Sequence, residues 1–175
     1  MRINSGNFKG RKLIKNKYEH IRPTADKVRQ ALFTKLQFFI QGKSVLDLFC
    51  GTGALGIEAL SHGASSVIFV DKDYRSVNLT KNNLKNLNIN AKVVKCDAVK
   101  FVEVCQESFD LIILDPPYKS GLYEKVLPLI YEKNLLNDDG IIVCEHSSND
   151  TFKYFPFKVF DEKRYGTKTL TYLEK

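Results

Sequence analysis

The 175-residue sequence has no CxxC pair, no long apolar run, no internal repeat and no low-complexity tract. Each absence removes a class of protein. Cys50, Cys96, Cys105 and Cys144 stand too far apart in sequence to suggest a structural zinc site or the framework of a disulfide-stapled domain. A bilayer-spanning helix needs ~18 or more apolar residues. No segment approaches that, so no membrane partner is expected. The basic start has no apolar stretch behind it, so a secretory leader is not expected either. A reducing cytoplasm is the expected compartment, and no metal site is expected.

Acidic residues are scarce only at one end. The chain carries 27 Lys/Arg against 20 Asp/Glu, a net charge of +7. Residues 1–30 hold nine of the basic residues and two acids, so the remainder is electrically neutral. A basic arm on a neutral body suits a polyanionic partner. A merely solubilising tail is the competing reading.

Along the chain, residues 1–20 read as two short extended segments separated by Ser5-Gly6 and Lys9-Gly10 turns. Arg22-Pro23 forces an extended residue, Thr24 is a candidate helix cap, and apolar spacing predicts a helix over 25–40. Beyond it, apolar β-branched runs at 44–49, 66–70, 91–96, 109–114 and 140–144 alternate with helical stretches at 54–62, 74–87, 99–105 and 123–133. Such alternation indicates a parallel sheet covered on both faces. Segments 151–160 and 164–173 have only residues 161–163 between them, and predict an antiparallel hairpin at one edge. The fold class expected is α/β: a doubly wound, mostly parallel seven-stranded sheet with a C-terminal antiparallel hairpin. Length favours one domain over 1–175, with a basic hairpin and helix at 1–41 and a catalytic body at 42–175.

Gly51-Thr52-Gly53-Ala54-Leu55-Gly56 follows the first strand of the body and opens a helix. There, glycines let the backbone approach a ligand and the helix start offers free N–H groups. A structural tight turn is the plainer alternative. Asp71 ends the next strand, where a carboxylate binds ribose hydroxyls of a dinucleotide or of S-adenosylmethionine alike. Asp47 discriminates: an acid beside the loop opposes a pyrophosphate but favours a ligand with an ammonium and a sulfonium. Asp97 and Ala98 follow the third strand, where an acceptor and a backbone N–H can read an adenine edge. Asp97 can equally cap the next helix.

Asp115-Pro116-Pro117-Tyr118 follows the fourth strand directly. The prolines stiffen the backbone and exclude helix. Asp115 can accept one N–H of a planar amine, the Pro116 carbonyl the other, and Tyr118 can stack on the ring. A nucleobase amine is a poor nucleophile because its lone pair is delocalised. Two acceptors holding it out of plane localise that pair and aim it at a methyl sulfonium.

These motifs in this order resemble a Rossmann-like class I S-adenosylmethionine-dependent methyltransferase. Arg22-Pro23-Thr24-Ala25-Asp26-Lys27-Val28-Arg29, with Gly10-Arg11-Lys12-Leu13, narrows the resemblance to the bacterial 16S rRNA guanine-N2 methyltransferase (RsmD) family. The resemblance implies S-adenosyl-L-methionine as cofactor, with Asp47, Gly51 and Gly53 at its methionine end. Asp71 would take the ribose, Asp97 and Ala98 the adenine, and Phe49 and Thr24 are further cofactor candidates. It implies that Asp115, Pro116, Pro117 and Tyr118 grip a guanine N2 amine. The implied partner is 16S rRNA in the small ribosomal subunit or its assembly intermediate, met by a monomer. Arg2, Lys9, Arg11, Lys12, Arg22 and Arg29 are the RNA-binding candidates. Arg22, Thr24 and Arg29 suit either the RNA or the cofactor's carboxylate.

Other readings compete. The same cofactor can serve adenine N6, another nucleic-acid amine or a protein amide. A nicotinamide dehydrogenase conflicts with Asp47 and lacks a second mononucleotide half. An idle rRNA-binding assembly factor has no need of Asp115-Pro-Pro-Tyr.

Overall fold

The computed structural model describes residues 1–15 and 23–175, with the backbone alone for residues 23–25. Seven strands form one sheet: β1 (Ser44–Asp47), β2 (Ser66–Asp71), β3 (Lys92–Lys95), β4 (Phe109–Leu114), β5 (Leu136–Ser147), β6 (Lys158–Tyr165) and β7 (Lys168–Glu174). Their order is β3-β2-β1-β4-β5-β7-β6. The first five run parallel, and β7 lies antiparallel between β5 and β6. The helices are α1 (Pro23–Leu36), α2 (Ala54–Ser61), α3 (Tyr74–Leu87), α4 (Ala98–Val104) and α5 (Tyr123–Glu132). The doubly wound, mostly parallel α/β sheet with its antiparallel C-terminal pair is the expected fold.

The strands are apolar on both faces because both faces are covered. Val45, Phe69 and Leu111 pack in one core with Val28 of α1, Ile57 of α2 and Leu84 of α3. Their neighbours Leu46, Ile68 and Ile112 point the other way, against Val102 of α4 and Val126 of α5. The winding reverses beside β1, which pairs with β2 on one side and β4 on the other. Such a reversal opens a crevice at the carboxyl ends of the strands.

The basic arm is part of this core. Arg2 and Lys12 form an antiparallel bridge around a 3-10 turn at Gly6–Phe8. Ile3 N donates to Arg11 O at 3.1 Å, and Gly10 N to Ile3 O at 2.9 Å. Ile3 and Leu13 are buried in the same cluster as Val45.

Three local expectations are corrected. Helix α1 begins at Pro23, because proline at a first helical position forfeits no intrahelical bond. Thr24 therefore lies inside the helix rather than capping it, and the helix ends at Leu36, short of Ile40. The hairpin turn is not at residues 161–163: Asp161 pairs with Tyr172 and Lys163 with Leu170 inside the ladder. The turn is Gly166-Thr167, where Gly166 has φ +62°. An edge strand is open to water on several sides, so its polar residues mimic a turn. Residues 151–157 are not strand, and the chain joins the sheet only at Lys158, after Pro156, which has no N–H to give. Among the described residues, no helix is long and apolar enough to cross a membrane.

Candidate active site

Strand β1 delivers the chain into the glycine loop, and neighbouring elements hold that loop. Cys50 N donates to Val70 O at 3.0 Å and Gly51 N to Asp71 Oδ2 at 2.9 Å. Thr80 Oγ1 of α3 donates to Gly51 O at 3.0 Å. Asn83 Nδ2, one turn further along α3, donates to Thr52 O at 2.9 Å. The same amide bonds the arm: its Nδ2 donates to Ile14 O and its Oδ1 accepts from Ile14 N. Gly56 permits a close helix–sheet approach, since a Cβ there would lie 2.3 Å from the Phe69 ring. A Cβ on Gly51, by contrast, would meet open space.

That space is a cavity of about 370 Å³ at the reversal point. Leu48, Phe49 and Gly51 form one wall, Asp71, Lys72, Cys96, Asp97 and Ala98 a second, and Asp115 to Tyr118 with Leu122 and Lys168 a third. The structure thus brings Phe49, Gly51, Asp71, Asp97, Ala98 and the whole Asp-Pro-Pro-Tyr segment to one place.

Two expected cofactor residues stand behind the wall. Asp47 is buried, with Oδ2 accepting from Gly56 N at 2.9 Å. Burial, with some help from the Asp71 charge, pushes its carboxyl up to about 7, against the Gly56 hydrogen bond. Gly53, at φ +77°, precedes α2 and packs on Thr80. Both build the loop. Arg22 and the Thr24 side chain lie outside the described residues.

Asp71 uses both oxygens on backbone, Oδ2 on Gly51 and Oδ1 on Asp73 N at 2.9 Å. Asp97 takes its expected place as a helix cap and also faces the cavity. Its Oδ1 accepts from Val99 N at 3.0 Å and Lys100 N at 3.2 Å in α4. Cys50 is buried against Thr80, and burial pushes its thiol up, which makes it inert.

A second cavity, of about 280 Å³, lies on the other side of the Asp-Pro-Pro-Tyr segment. Pro116, Pro117 and Tyr118 line both cavities. Its remaining wall comes from the start of α5 (Tyr123 and Glu124), His146 at the end of β5, and the residues after β5, including Asp150 and Phe152. Tyr123 anchors this side by donating to Glu145 O at 2.7 Å, with Leu114 O at 3.2 Å. Phe152 stacks on Tyr123, with centroids 4.0 Å apart and planes at 8°. Tyr118 stays half exposed between the cavities, and partial burial raises its phenol.

No sequence motif marks Lys168. It is 18% exposed, lines the first cavity and forms an ion pair with the buried Glu145. Burial works against its charge, yet Glu145 holds its ammonium above the ordinary range. Only the ladder, which sets Lys168 opposite Ser147 at the β5 terminus, makes that position visible.

The basic arm divides. Lys9 and Lys12 are exposed. Arg2 Nη1 donates to Gly10 O and Arg11 Nη2 to Asn86 O, which fixes both guanidiniums along the surface. Arg29 departs from expectation. It is 5% exposed, donates to Arg2 O at 2.7 Å and pairs with Asp26 and Glu58. It anchors the arm and presents no open face to a phosphate.

The family described as "Conserved hypothetical protein 95" matches residues 1–174. YlbH of Bacillus subtilis (strain 168) is 42% identical over 151 residues, covering 83% of this chain and 82% of that protein. Ribosomal RNA small subunit methyltransferase D of Haemophilus influenzae is 37% identical over 150 residues, covering 83% and 78%. The solved structure of yhhF from Escherichia coli superposes with a TM-score of 0.90 at 31% identity, covering 100% of this chain and 98% of that one.

Proposed function

The chain belongs to the conserved hypothetical protein 95 family, and from its likeness to ribosomal RNA small subunit methyltransferase D and the geometry of its two cavities we propose that it methylates a base amine of small-subunit ribosomal RNA. The cofactor is S-adenosylmethionine and the acceptor is guanine N2 in 16S rRNA. The observation that carries the reading is the wall shared by two cavities. Pro116, Pro117 and Tyr118 separate a space suited to the methyl donor from a space suited to a planar acceptor.

The first cavity fits the donor. It is open above Gly51, has apolar surface at Leu48, Phe49 and Leu122, and has carboxylates at Asp71, Asp97 and Asp115. Such a set suits a ligand with a flat ring, ribose hydroxyls and net positive charge. Asp71 accepts from the ribose hydroxyls, while Asp97 and the Ala98 N–H read the adenine. The bound cofactor supplies an activated methyl group on a sulfonium.

The protein's own work is done at the acceptor. Asp115 and the Pro116 carbonyl accept the two amine N–H groups and turn the lone pair toward the donor cavity. Tyr118 stacks on the base and keeps it in register. Asp115 is the acceptor at hand for the proton that the amine sheds as its N–C bond forms. The prolines hold these groups in place without reorganisation, the condition under which electrostatic positioning is most effective.

Substrate capture falls to the arm. Lys9, Lys12, Arg2 and Arg11 present charge to RNA phosphates of the small subunit or its assembly intermediate, with Arg22 next to them in sequence. Mass mapping of rRNA from a strain lacking the protein tests the reading. One 16S guanine is expected to lose a methyl group. Loss at an adenine instead would transfer the assignment to N6, which the Asp-Pro-Pro-Tyr grip also suits. An unchanged modification pattern would remove it.

A further inference from the structure

The second cavity holds a carboxylate that methyl transfer does not use. Asp150 lines it from the turn after β5, and is half-buried. Among the described residues its carboxylate makes no hydrogen bond or ion pair. The position is nevertheless fixed. Asp150 N donates to Ser147 O at 2.9 Å and Asn149 N to Ser147 Oγ at 3.3 Å. Two residues on, Phe152 is stacked on Tyr123, which is itself bonded to the ends of β4 and β5. An aromatic-walled space is therefore lined by an acceptor carried on a fixed stretch of backbone, beside the segment that grips the amine.

Nucleobases differ at the atom next to their exocyclic amine. Guanine carries an N1–H donor beside N2. Adenine and cytosine carry bare ring nitrogens there, each an acceptor. A carboxylate at that place pairs with guanine, but sets lone pair against lone pair with adenine. Leaving buried polar groups unpaired discriminates more strongly than any loss of apolar contact.

We propose that Asp150 accepts the N1–H of the target base, and so selects guanine over other amine-bearing bases. The assignment rests on the reading that Asp115 to Tyr118 grip the amine. It adds a specificity residue on a separate segment of chain. Glu124 lines the same cavity but is exposed, so water competes for it.

The test compares guanine with 2-aminopurine, which keeps the 2-amine but has an acceptor at N1. Small subunits are reconstituted with 16S rRNA carrying either base at the mapped position, and methylation rates are compared. Wild-type enzyme is expected to favour guanine by ~100-fold or more. Asp150→Asn, whose amide can donate to a bare N1, is expected to narrow that ratio by at least ~10-fold with cofactor affinity unchanged. Glu124→Gln is expected to leave the ratio alone. Because the readout is a ratio on one enzyme, a general loss of activity does not imitate it. Equal rates on the two bases, a ratio unmoved by Asp150→Asn, or one that follows Glu124 would overturn the assignment. A wild-type enzyme that methylates neither base would overturn the guanine reading itself, and this assignment with it.

Discussion

Arg29 Nε lies 3.2 Å from Glu58 Oε2, and both side chains are buried, at 5% and 1% exposure. The pair is close enough for charge attraction, though the Nε–H is not aligned as a hydrogen bond. Glu58 also accepts from the Asn4 and Ser5 backbone N–H groups at 2.9 and 3.0 Å. One carboxylate on α2 thus holds both the buried arginine and the arm.

Removing that carboxylate leaves the buried Arg29 with Asp26 as its counter-charge and takes the acceptor from the Asn4 and Ser5 N–H groups. Glu58→Ala is expected to cost about 3–5 kcal/mol, read as a lowered urea midpoint. Glu58→Gln keeps an acceptor for the two N–H groups but not the charge, so it should cost less. Equal stability of Glu58→Ala and wild type would mean that the arm is not held this way.

Asp115→Ala should separate binding from transfer. The variant is expected to bind cofactor and small subunits within a few-fold of wild type, while turnover falls by ~100-fold or more. Calorimetry with the cofactor and single-turnover methylation of subunits measure the two separately. Full turnover would remove Asp115 from the mechanism.

Asp47 predicts a pH-dependent stability difference. Its carboxyl is raised from 3.8 to about 7 in the folded chain, chiefly by burial. Between those values the unfolded chain ionises while the folded one stays protonated, so stability is lost as pH rises through this window and the loss levels off above pH 7. Asp47→Asn retains an oxygen for the Gly56 N–H and has no such cost. Its advantage over wild type should grow from pH 5 to pH 7 by on the order of 2 kcal/mol, then stay constant. Urea denaturation of both proteins at pH 5, 7 and 8 reads it. An advantage that shrinks with rising pH would contradict the cause given.

Two exposed lysines of the arm, Lys9 and Lys12, should appear in the salt dependence of subunit binding. Lys9→Ala with Lys12→Ala is expected to reduce the slope of log K against log salt by about two. An unchanged slope would make these lysines solubilising charge.

Much of this was legible beforehand, and the exceptions share a cause. Helix α3 and strand β4 fall on the expected residues because a long amphipathic period and a doubly buried apolar run each leave one solution. The glycine loop and Asp-Pro-Pro-Tyr carry their chemistry in contiguous residues. Arg29 does not: its partner Glu58 lies on another helix, so sequence shows a basic residue and only packing shows a buried one. Lys168 is the same case, since β7 doubles back to place it against Glu145. The missed turn at Gly166 reflects β6, an edge strand whose polar residues lack the alternation of a half-buried one.

The wall common to the two cavities has a consequence for how such a protein can change over generations. The donor side is built by the ends of β1 to β3, whereas the far acceptor side is built by the start of α5 and the turn after β5. Substitutions in that later segment can redirect the enzyme to a new acceptor while the donor side stays intact. The scaffold therefore permits drift in what is modified under strict inheritance of what modifies it.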